Sequence, residues 1–157
     1  MNNLTAGRID ITDIKFSDAV EARLLTLKIG DVLFNRTNSL EHVGKTAMWR
    51  GELAAASFVS YLVRLDVDVQ KMRSAYLVYW LNLPSTQIAM RRFATPGVHQ
   101  VNISPTNLRR MECAAPKDLV EQDIITRSVE QLEKFINNEE LQVAKLRQKN
   151  TASCATS

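Results

Sequence analysis

The stretch SLEHVGKT, residues 39–46, differs by one residue from the phosphate-binding loop G-x-x-x-x-G-K-[ST] of nucleotide hydrolases. Such a loop needs a strand before it, glycines that let backbone N–H groups surround phosphates, and a helix that begins at the lysine. Here Ser39 replaces the first glycine, and Gly51 follows Lys45 too closely for a helix. We interpret residues 44–46 as a turn that enters a strand, and a small nucleotide binder is the less favoured alternative.

Other catalytic patterns are missing from the sequence. It contains no G-x-S-x-G elbow, no H-E-x-x-H motif and no G-x-G dinucleotide fingerprint. His42 and His99 are isolated from each other and from the cysteines, and neither Cys113 nor Cys154 has a partner at metal-ligand spacing. We predict that the chain is not an enzyme, binds no metal and needs no cofactor.

Two polar loops have the chemistry of DNA base recognition. NRTNS, residues 35–39, lies between apolar runs, and GVHQVNIS, residues 97–104, is rich in hydrogen-bonding side chains. Arginine can donate to O6 and N7 of guanine, whereas asparagine and glutamine match N6 and N7 of adenine. These loops make double-stranded DNA a candidate partner.

Basic side chains favour the same partner. The net charge is +3, and residues 84–117 contain five basic side chains but a single acidic one, Glu112. Phosphate contacts position a protein on DNA without specifying sequence. The side chains that suit phosphates are Lys45, Arg91, Arg92, Arg109 and Arg110.

The pattern up to Pro116 predicts a mixed domain, residues 1–116, that would position these loops. Short strands are expected within residues 8–14, 31–35, 43–49 and 58–65, the last with one strongly buried face. Helical spacing predicts a helix over residues 72–83, closed by Pro84, and a second over residues 85–93. The predicted fold class is α+β.

A long helix is predicted over residues 117–149. Asp118 and Glu121 have the spacing of a capping box, and an apolar heptad stripe follows. Such a helix is roughly 45 Å long and extends beyond the domain. We expect its first turn to pack on the domain through Leu119, Val120 and Ile124, and its far end to pair with a partner helix. Residues 150–157 are predicted to be a disordered tail. The predicted stripe, here called the seam, consists of Ile125, Val129, Leu132, Ile136, Val143 and Leu146.

The sequence indicates a cytoplasmic protein without a membrane span. No window approaches eighteen uncharged apolar residues, and the polar start MNNLTAGRIDITD does not resemble a signal peptide. The two cysteines agree with a reducing compartment.

Several segments together resemble the specificity subunit of type I restriction-modification enzymes. They are LKIGDVLFNRTNSLEHVGKTAMW, SYLVRL, YLVYWLN, GVHQVNIS and APKDLVEQDII, followed by the long helix. Their order and spacing match this family from about residue 8 to residue 146. The resemblance implies that VGKT belongs to a DNA target-recognition domain rather than to an ATPase.

The resemblance also implies partners. Such subunits carry two recognition domains, each followed by a conserved helix, and the two helices pack antiparallel as a spacer that docks methyltransferase (modification) subunits. Each domain reads one half of a split DNA target. Methyl transfer and DNA cleavage belong to the modification and restriction subunits, so the family members themselves are not catalytic.

This chain holds one recognition domain and one helix, half of a usual subunit. We therefore expect a homodimer that reads an interrupted palindrome. The chain also begins late, which raises the alternative of an N-terminally truncated fragment that binds partners or regulates without reading DNA. The residues expected at the DNA are Arg36, Thr37, Asn38, Ser39, Lys45, Arg91, Arg92, His99, Gln100, Asn102 and Ser104.

Overall fold

The computed structural model describes residues 3–5, 7–12 and 25–154, with side chains of the last helix described as far as residue 148. These residues form a small mixed domain followed by one long helix, which confirms the α+β prediction. The strands are β1 (Leu4–Thr5), β2 (Arg8–Ile9), β3 (Val32–Asn35), β4 (Thr37–Asn38), β5 (Thr46–Met48), β6 (Leu62–Leu65), β7 (Thr95–Pro96) and β8 (Val101–Asn102). The helices are α1 (Ser74–Asn82), α2 (Pro84–Arg91), α3 (Pro105–Leu108) and α4 (Leu119–Cys154).

Two three-stranded antiparallel sheets organise the domain. The first has the order β5-β3-β6, and all four residues of its central strand β3 are buried. The second has the order β4-β8-β7 and joins the chain after β3 to a hairpin more than fifty residues later. Because β3 and β4 are separated by Arg36 alone, the two sheets are directly linked.

The main core lies between β3 and the helix pair α1–α2. Its buried members come from five different parts of the chain, so the core forms only when the elements assemble. They are Phe34, Val43, Leu81, Met90 and Ile103. A smaller core on the opposite side of the first sheet contains Leu27, Leu33 and Trp49.

The predicted strand over residues 58–65 is shorter and less buried than expected. Only Leu62–Leu65 pairs with β3, and Leu62, Val63 and Leu65 are half-buried. Arg64 is exposed and donates to the carboxylate of Asp31 at 3.2 Å, so this edge strand presents a charged side chain to solvent.

The predicted helices are confirmed with shifted bounds. Pro84 both ends α1 and begins α2, where a missing N–H costs nothing.

The long helix α4 begins as its capping signal predicts. The carboxylate of Asp118 accepts a hydrogen bond from the Val120 N–H at 2.8 Å. The helix continues to Cys154, past the predicted end at residue 149, so the first part of the predicted tail is helical and residues 155–157 lie outside the described range. Its 36 residues correspond to about 54 Å. In the described ranges, no helix has both the length and the apolar character to cross a membrane.

A buried glutamine attaches α4 to the domain. Gln122 is fully buried, and its side-chain oxygen accepts a hydrogen bond from the Arg73 backbone N–H at 2.8 Å. Its amide nitrogen donates to the carbonyls of Pro116 at 2.7 Å and Lys71 at 3.1 Å. These three bonds engage the donors and the acceptor of one amide, so the contact is specific for orientation.

Polar groups continue this contact along the next turns. Thr126 is buried, Arg73 pairs with Asp123 at 3.0 Å, and Arg50 pairs with Glu130 at 3.1 Å. One turn further, the Tyr79 hydroxyl donates to Glu133 at 3.2 Å. Desolvation and the carboxylate of Glu133 raise the pKa of Tyr79 to about 12, which keeps the phenol protonated as a donor.

The prediction that the first turn packs through apolar residues is wrong in part. Leu119 is half-buried, but Val120 and Ile124 are 58% and 54% exposed. The docking face is the polar stripe described above, which lies on another side of the helix.

The predicted seam remains uncovered by the domain. Val129 is half-buried, whereas Leu132 is 62% exposed and the other seam residues are also exposed. At 100° per residue, the seam lies roughly a quarter of a turn around the helix from Gln122 and Thr126. The helix therefore has two separate stripes, a polar one on the domain and an apolar one toward solvent.

Replacement of Gln122 tests whether its amide holds the helix on the domain. We expect Gln122→Ala to lower the free energy of unfolding by about 2–4 kcal/mol, because it leaves a buried N–H and two carbonyls without their partner. Urea denaturation followed by circular dichroism measures the loss. Gln131→Ala, at an exposed position on the same helix, should change the value by less than about 0.5 kcal/mol. Equal values for the two variants would contradict the assignment.

Candidate nucleic-acid interface

The second sheet brings the two predicted DNA-reading loops together. Thr37 lies opposite Asn102, and Asn38 lies opposite Val101, in the antiparallel pair β4–β8. Just beyond this pair, the Ile103 N–H donates to the Arg36 carbonyl at 2.8 Å. The loops at residues 35–39 and 97–104 thus form one continuous surface, here called the reader surface.

A shared acceptor connects the side chains of this surface. The Asn102 side-chain oxygen accepts hydrogen bonds from Arg36 Nε at 3.2 Å and from the Thr37 hydroxyl at 3.1 Å. All three residues are half-buried. The Asn102 oxygen is therefore engaged within the domain, while its NH₂ group is the part that can approach a ligand.

A tight turn projects from the reader surface between β7 and β8. It is closed by a hydrogen bond from the Gly97 N–H to the Gln100 carbonyl at 2.7 Å, and His99 and Gln100 are exposed. At its tip, Val98 is 92% exposed. Val98 is not among the residues predicted to contact DNA, although a large apolar residue beside a turn glycine is a sequence signal for such an exposed tip. Apolar side chains can contact the methyl group of thymine.

Three predicted residues have additional structural contacts. The side-chain oxygen of Asn38, which is 8% exposed, accepts from the Ser39 N–H at 2.8 Å. Ser104 caps α3, since its hydroxyl accepts from the Asn107 N–H at 3.1 Å. Ser39 itself is exposed. DNA contact by these residues stays a prediction, and the oxygens of Asn38 and Ser104 are already used to shape the loops.

The predicted phosphate contacts lie beside this surface. Arg91 and Arg92 are exposed at the end of α2, immediately before β7, and Arg109 and Arg110 are exposed after α3. The Arg110 guanidinium lies 5.9 Å from the centre of the Phe93 ring. In addition, Asn107 donates to the Phe93 carbonyl at 3.2 Å. These contacts make the two arginine pairs neighbours.

The turn containing Gly44, Lys45 and Thr46 does not form a phosphate-binding loop. Thr46 begins strand β5 rather than a helix, as the sequence predicts. The Gly44 carbonyl accepts hydrogen bonds from the Thr46 hydroxyl and from the Gln87 side chain, both at 3.0 Å. Gly44 is buried with a φ of 88°, and Lys45 is half-buried beside it. The turn packs on α2 and leads into a strand, so residues 39–46 lack the helix that a phosphate-binding loop requires after its lysine.

Metal and thiol chemistry find no support among the described residues. No group of three or more His, Cys, Asp or Glu side chains in this part of the chain could hold a metal ion. His99 is exposed, whereas His42 is half-buried in the turn before Gly44. Burial raises the pKa of the Cys113 thiol, which disfavours its reactive thiolate form.

Two curated proteins are similar to this chain over most of its length. A protein of Methanocaldococcus jannaschii, described as the specificity subunit of type I restriction enzyme MjaX, is 29% identical over 151 residues, covering 91% of this chain and 35% of that protein. The specificity subunit of type I restriction enzyme StySPI of Salmonella potsdam is 28% identical over 127 residues, covering 80% of this chain and 27% of that protein. The chain thus spans about a third of the length of these relatives. No protein-family model matches it.

The resemblance predicted from the five sequence segments is confirmed by these two proteins. Both are named as specificity subunits of type I restriction enzymes.

Two glycines with the same backbone conformation test the packing of the Gly44 turn. Gly44 and Gly30 have φ values of 88° and 94°, but a Cβ at Gly44 would lie 2.5 Å from the Met90 sulfur, whereas nothing lies within 4 Å at Gly30. We expect Gly30→Ala to cost about 1–2 kcal/mol of backbone strain and Gly44→Ala to cost about 1–3 kcal/mol more. Urea denaturation of both variants measures the difference, and equal losses would show that the turn does not pack on α2.

Proposed function

We propose that this chain is a DNA sequence-specificity subunit of a type I restriction-modification enzyme. Its domain binds one half of a split DNA target through the reader surface, and α4 docks the methyltransferase subunit and pairs with a second helix. The chain contributes recognition and no catalysis, and it works in the cytoplasm with its DNA. The observation that carries the proposal is the attachment of the domain, through the buried amide of Gln122, to a helix whose seam is largely exposed.

The reader surface supports the DNA-binding part of this proposal. It combines amide, imidazole and guanidinium groups, which match base edges, with neighbouring exposed arginines that suit phosphates. Its two loops come from distant parts of the chain and are joined by β4 and β8. The similarity to two type I specificity subunits points in the same direction.

The exposed seam supports helix pairing. Six apolar side chains at heptad spacing offer a gross gain of about 10 kcal/mol per helix when covered. Two helices together offer about 20 kcal/mol, against association costs of roughly 4–15 kcal/mol. Since the seam is distinct from the docking stripe, a second α4 can cover it without displacing the domain. We assign the second helix to another copy of this chain, and two copies related by a two-fold axis would recognise an interrupted palindrome.

Charged substitutions in the seam test the homodimer. Leu132→Asp combined with Ile136→Asp should convert a dimer into a folded monomer, because each carboxylate would be desolvated in the helix pair. Sedimentation equilibrium at micromolar concentration measures the mass. Gln131→Glu combined with Asn138→Asp is the control, as it adds the same charge on the opposite side of the helix and should leave the dimer intact. A monomeric unchanged chain would overturn the homodimer assignment.

Methylation of chromosomal DNA tests the proposed function. Cells that produce a type I methyltransferase subunit should acquire methylation at one split target when this chain is present and lose it when the chain is absent, as read by sequencing methylated bases. An identical methylation pattern in both cultures would refute the proposal. Methyltransferase capture without duplex binding would instead favour the partner-binding fragment.

The contribution of the arginines beside the reader surface is tested by duplex affinity and its dependence on salt. Arg91→Ala combined with Arg92→Ala should weaken duplex binding equally for all sequences and lower the slope of log K against log salt by about 2. Lys134→Ala combined with Lys145→Ala is the matched control on α4 and should leave affinity and slope unchanged. Fluorescence anisotropy at several salt concentrations measures both quantities.

A further inference from the structure

Arg36 is the most constrained basic residue of the reader surface. It is half-buried at the junction of the two sheets, directly between β3 and β4. Its N–H donates to the Tyr61 carbonyl at 3.0 Å, and its own carbonyl accepts from the Ile103 N–H at 2.8 Å. The backbone is therefore held on both sides. The backbones of Arg91 and Arg92 are also hydrogen-bonded at the end of a helix, but both residues are exposed, whereas Arg36 is half-buried.

The side chain is also oriented. The bond from Arg36 Nε to Asn102 uses one edge of the guanidinium, and the Thr37 hydroxyl bonds to the same Asn102 oxygen. The two terminal nitrogens, Nη1 and Nη2, remain for a ligand. In residues 3–5, 7–12 and 25–154, no carboxylate forms an ion pair with Arg36, so its charge is not neutralised by the described part of the chain.

We infer that Arg36 reads a guanine through its major-groove edge and that Asn102 is the positioning residue that holds the guanidinium for this contact. The inference rests on the proposed function and adds the base and the residue that recognises it. Two parallel N–H groups of a planar guanidinium match O6 and N7 of guanine, and each such bidentate contact discriminates strongly between bases. Asn102 accepts from Nε and so leaves the terminal nitrogens to face the DNA.

Orientation is the reason to assign a base rather than a phosphate. A phosphate accepts hydrogen bonds from many directions, and a mobile arginine or lysine serves it well. Bidentate base recognition instead requires the guanidinium plane to be oriented before DNA binds. A hydrogen bond from Nε to a fixed acceptor orients the plane and leaves Nη1 and Nη2 free to donate to the base. Among the arginines predicted to lie at the DNA, Arg36 has such a bond from Nε, whereas the described hydrogen bonds of Arg91 and Arg92 involve the backbone alone.

Selection of bound duplexes from a random library tests the assignment, with the methyltransferase subunit present. Arg36→Ala should lower the preference for guanine at one position about 5- to 140-fold, which corresponds to about 1–3 kcal/mol. Arg36→Lys keeps the charge but loses the paired donors, so it should lose the same preference while retaining most of the affinity. Arg92→Ala, the matched control, should weaken binding without changing any base preference.

The positioning role of Asn102 is tested by the preference for guanine, which would not change if Asn102 only stabilised the fold. Asn102→Ala should lower the same guanine preference, whereas Asn102→Asp keeps the oxygen that accepts from Arg36 and should retain the preference despite weaker overall binding. Circular dichroism and melting confirm that each variant is folded. If both variants lose affinity equally for every sequence, the positioning role is refuted.

Modified bases in the selected duplex identify the edge that is read. 7-Deazaguanine at the selected position should reproduce part of the loss seen with Arg36→Ala, because it lacks N7 but keeps O6. Inosine should bind like guanine, because it keeps both O6 and N7. Unchanged base preferences in Arg36→Ala, with a salt slope lower by about 1, would identify a phosphate contact and overturn the inference while leaving the proposed function intact. Absence of any sequence-selective binding by the unchanged chain would refute both.

Discussion

The amide of Gln122 determines how the long helix stands on the domain. Its oxygen and nitrogen meet one N–H and two carbonyls of the surrounding backbone, at Arg73, Lys71 and Pro116, and the group is fully buried. Rotation of the helix about its axis would break all three bonds in a place that water does not reach. The docked orientation is therefore unique, and the direction in which every other side of the helix faces depends on it.

The helix divides two tasks between two stripes. Polar contacts of the domain with Asp123, Glu130 and Glu133 fix orientation, because hydrogen bonds and ion pairs depend on geometry. The apolar seam supplies attraction, which is proportional to buried area and far less directional. In the proposed assembly, this arrangement transmits the position of a partner helix to the reader surface, because the domain cannot turn independently of α4. The spacing between two half-sites would then be set by the helix pair.

The turn at residues 44–46 illustrates how one short pattern serves different physical purposes. In a nucleotide hydrolase its glycine lets phosphates approach the backbone. Here the positive φ of Gly44 turns the chain into β5, and the absence of a side chain leaves room for Met90 of α2. The Gly44 carbonyl also accepts a hydrogen bond from the Gln87 side chain, which holds the turn against α2. The neighbouring residues, rather than the motif, decide which purpose applies.

Local patterns were sufficient to predict the α+β class, the helix that follows Asp118 and the apolar seam, because caps and periodicity depend on residues that are close in sequence. The composition of residues 35–39 and 97–104 also made both loops candidates for DNA reading, and that role stays a prediction. Tertiary structure decided three other features: the pairing of Thr37 with Asn102, the hydrogen bond from Arg36 to Asn102, and the burial of the Gln122 amide. Each depends on at least one group about fifty or more residues away, and no local spacing records which of the many polar side chains will be desolvated together.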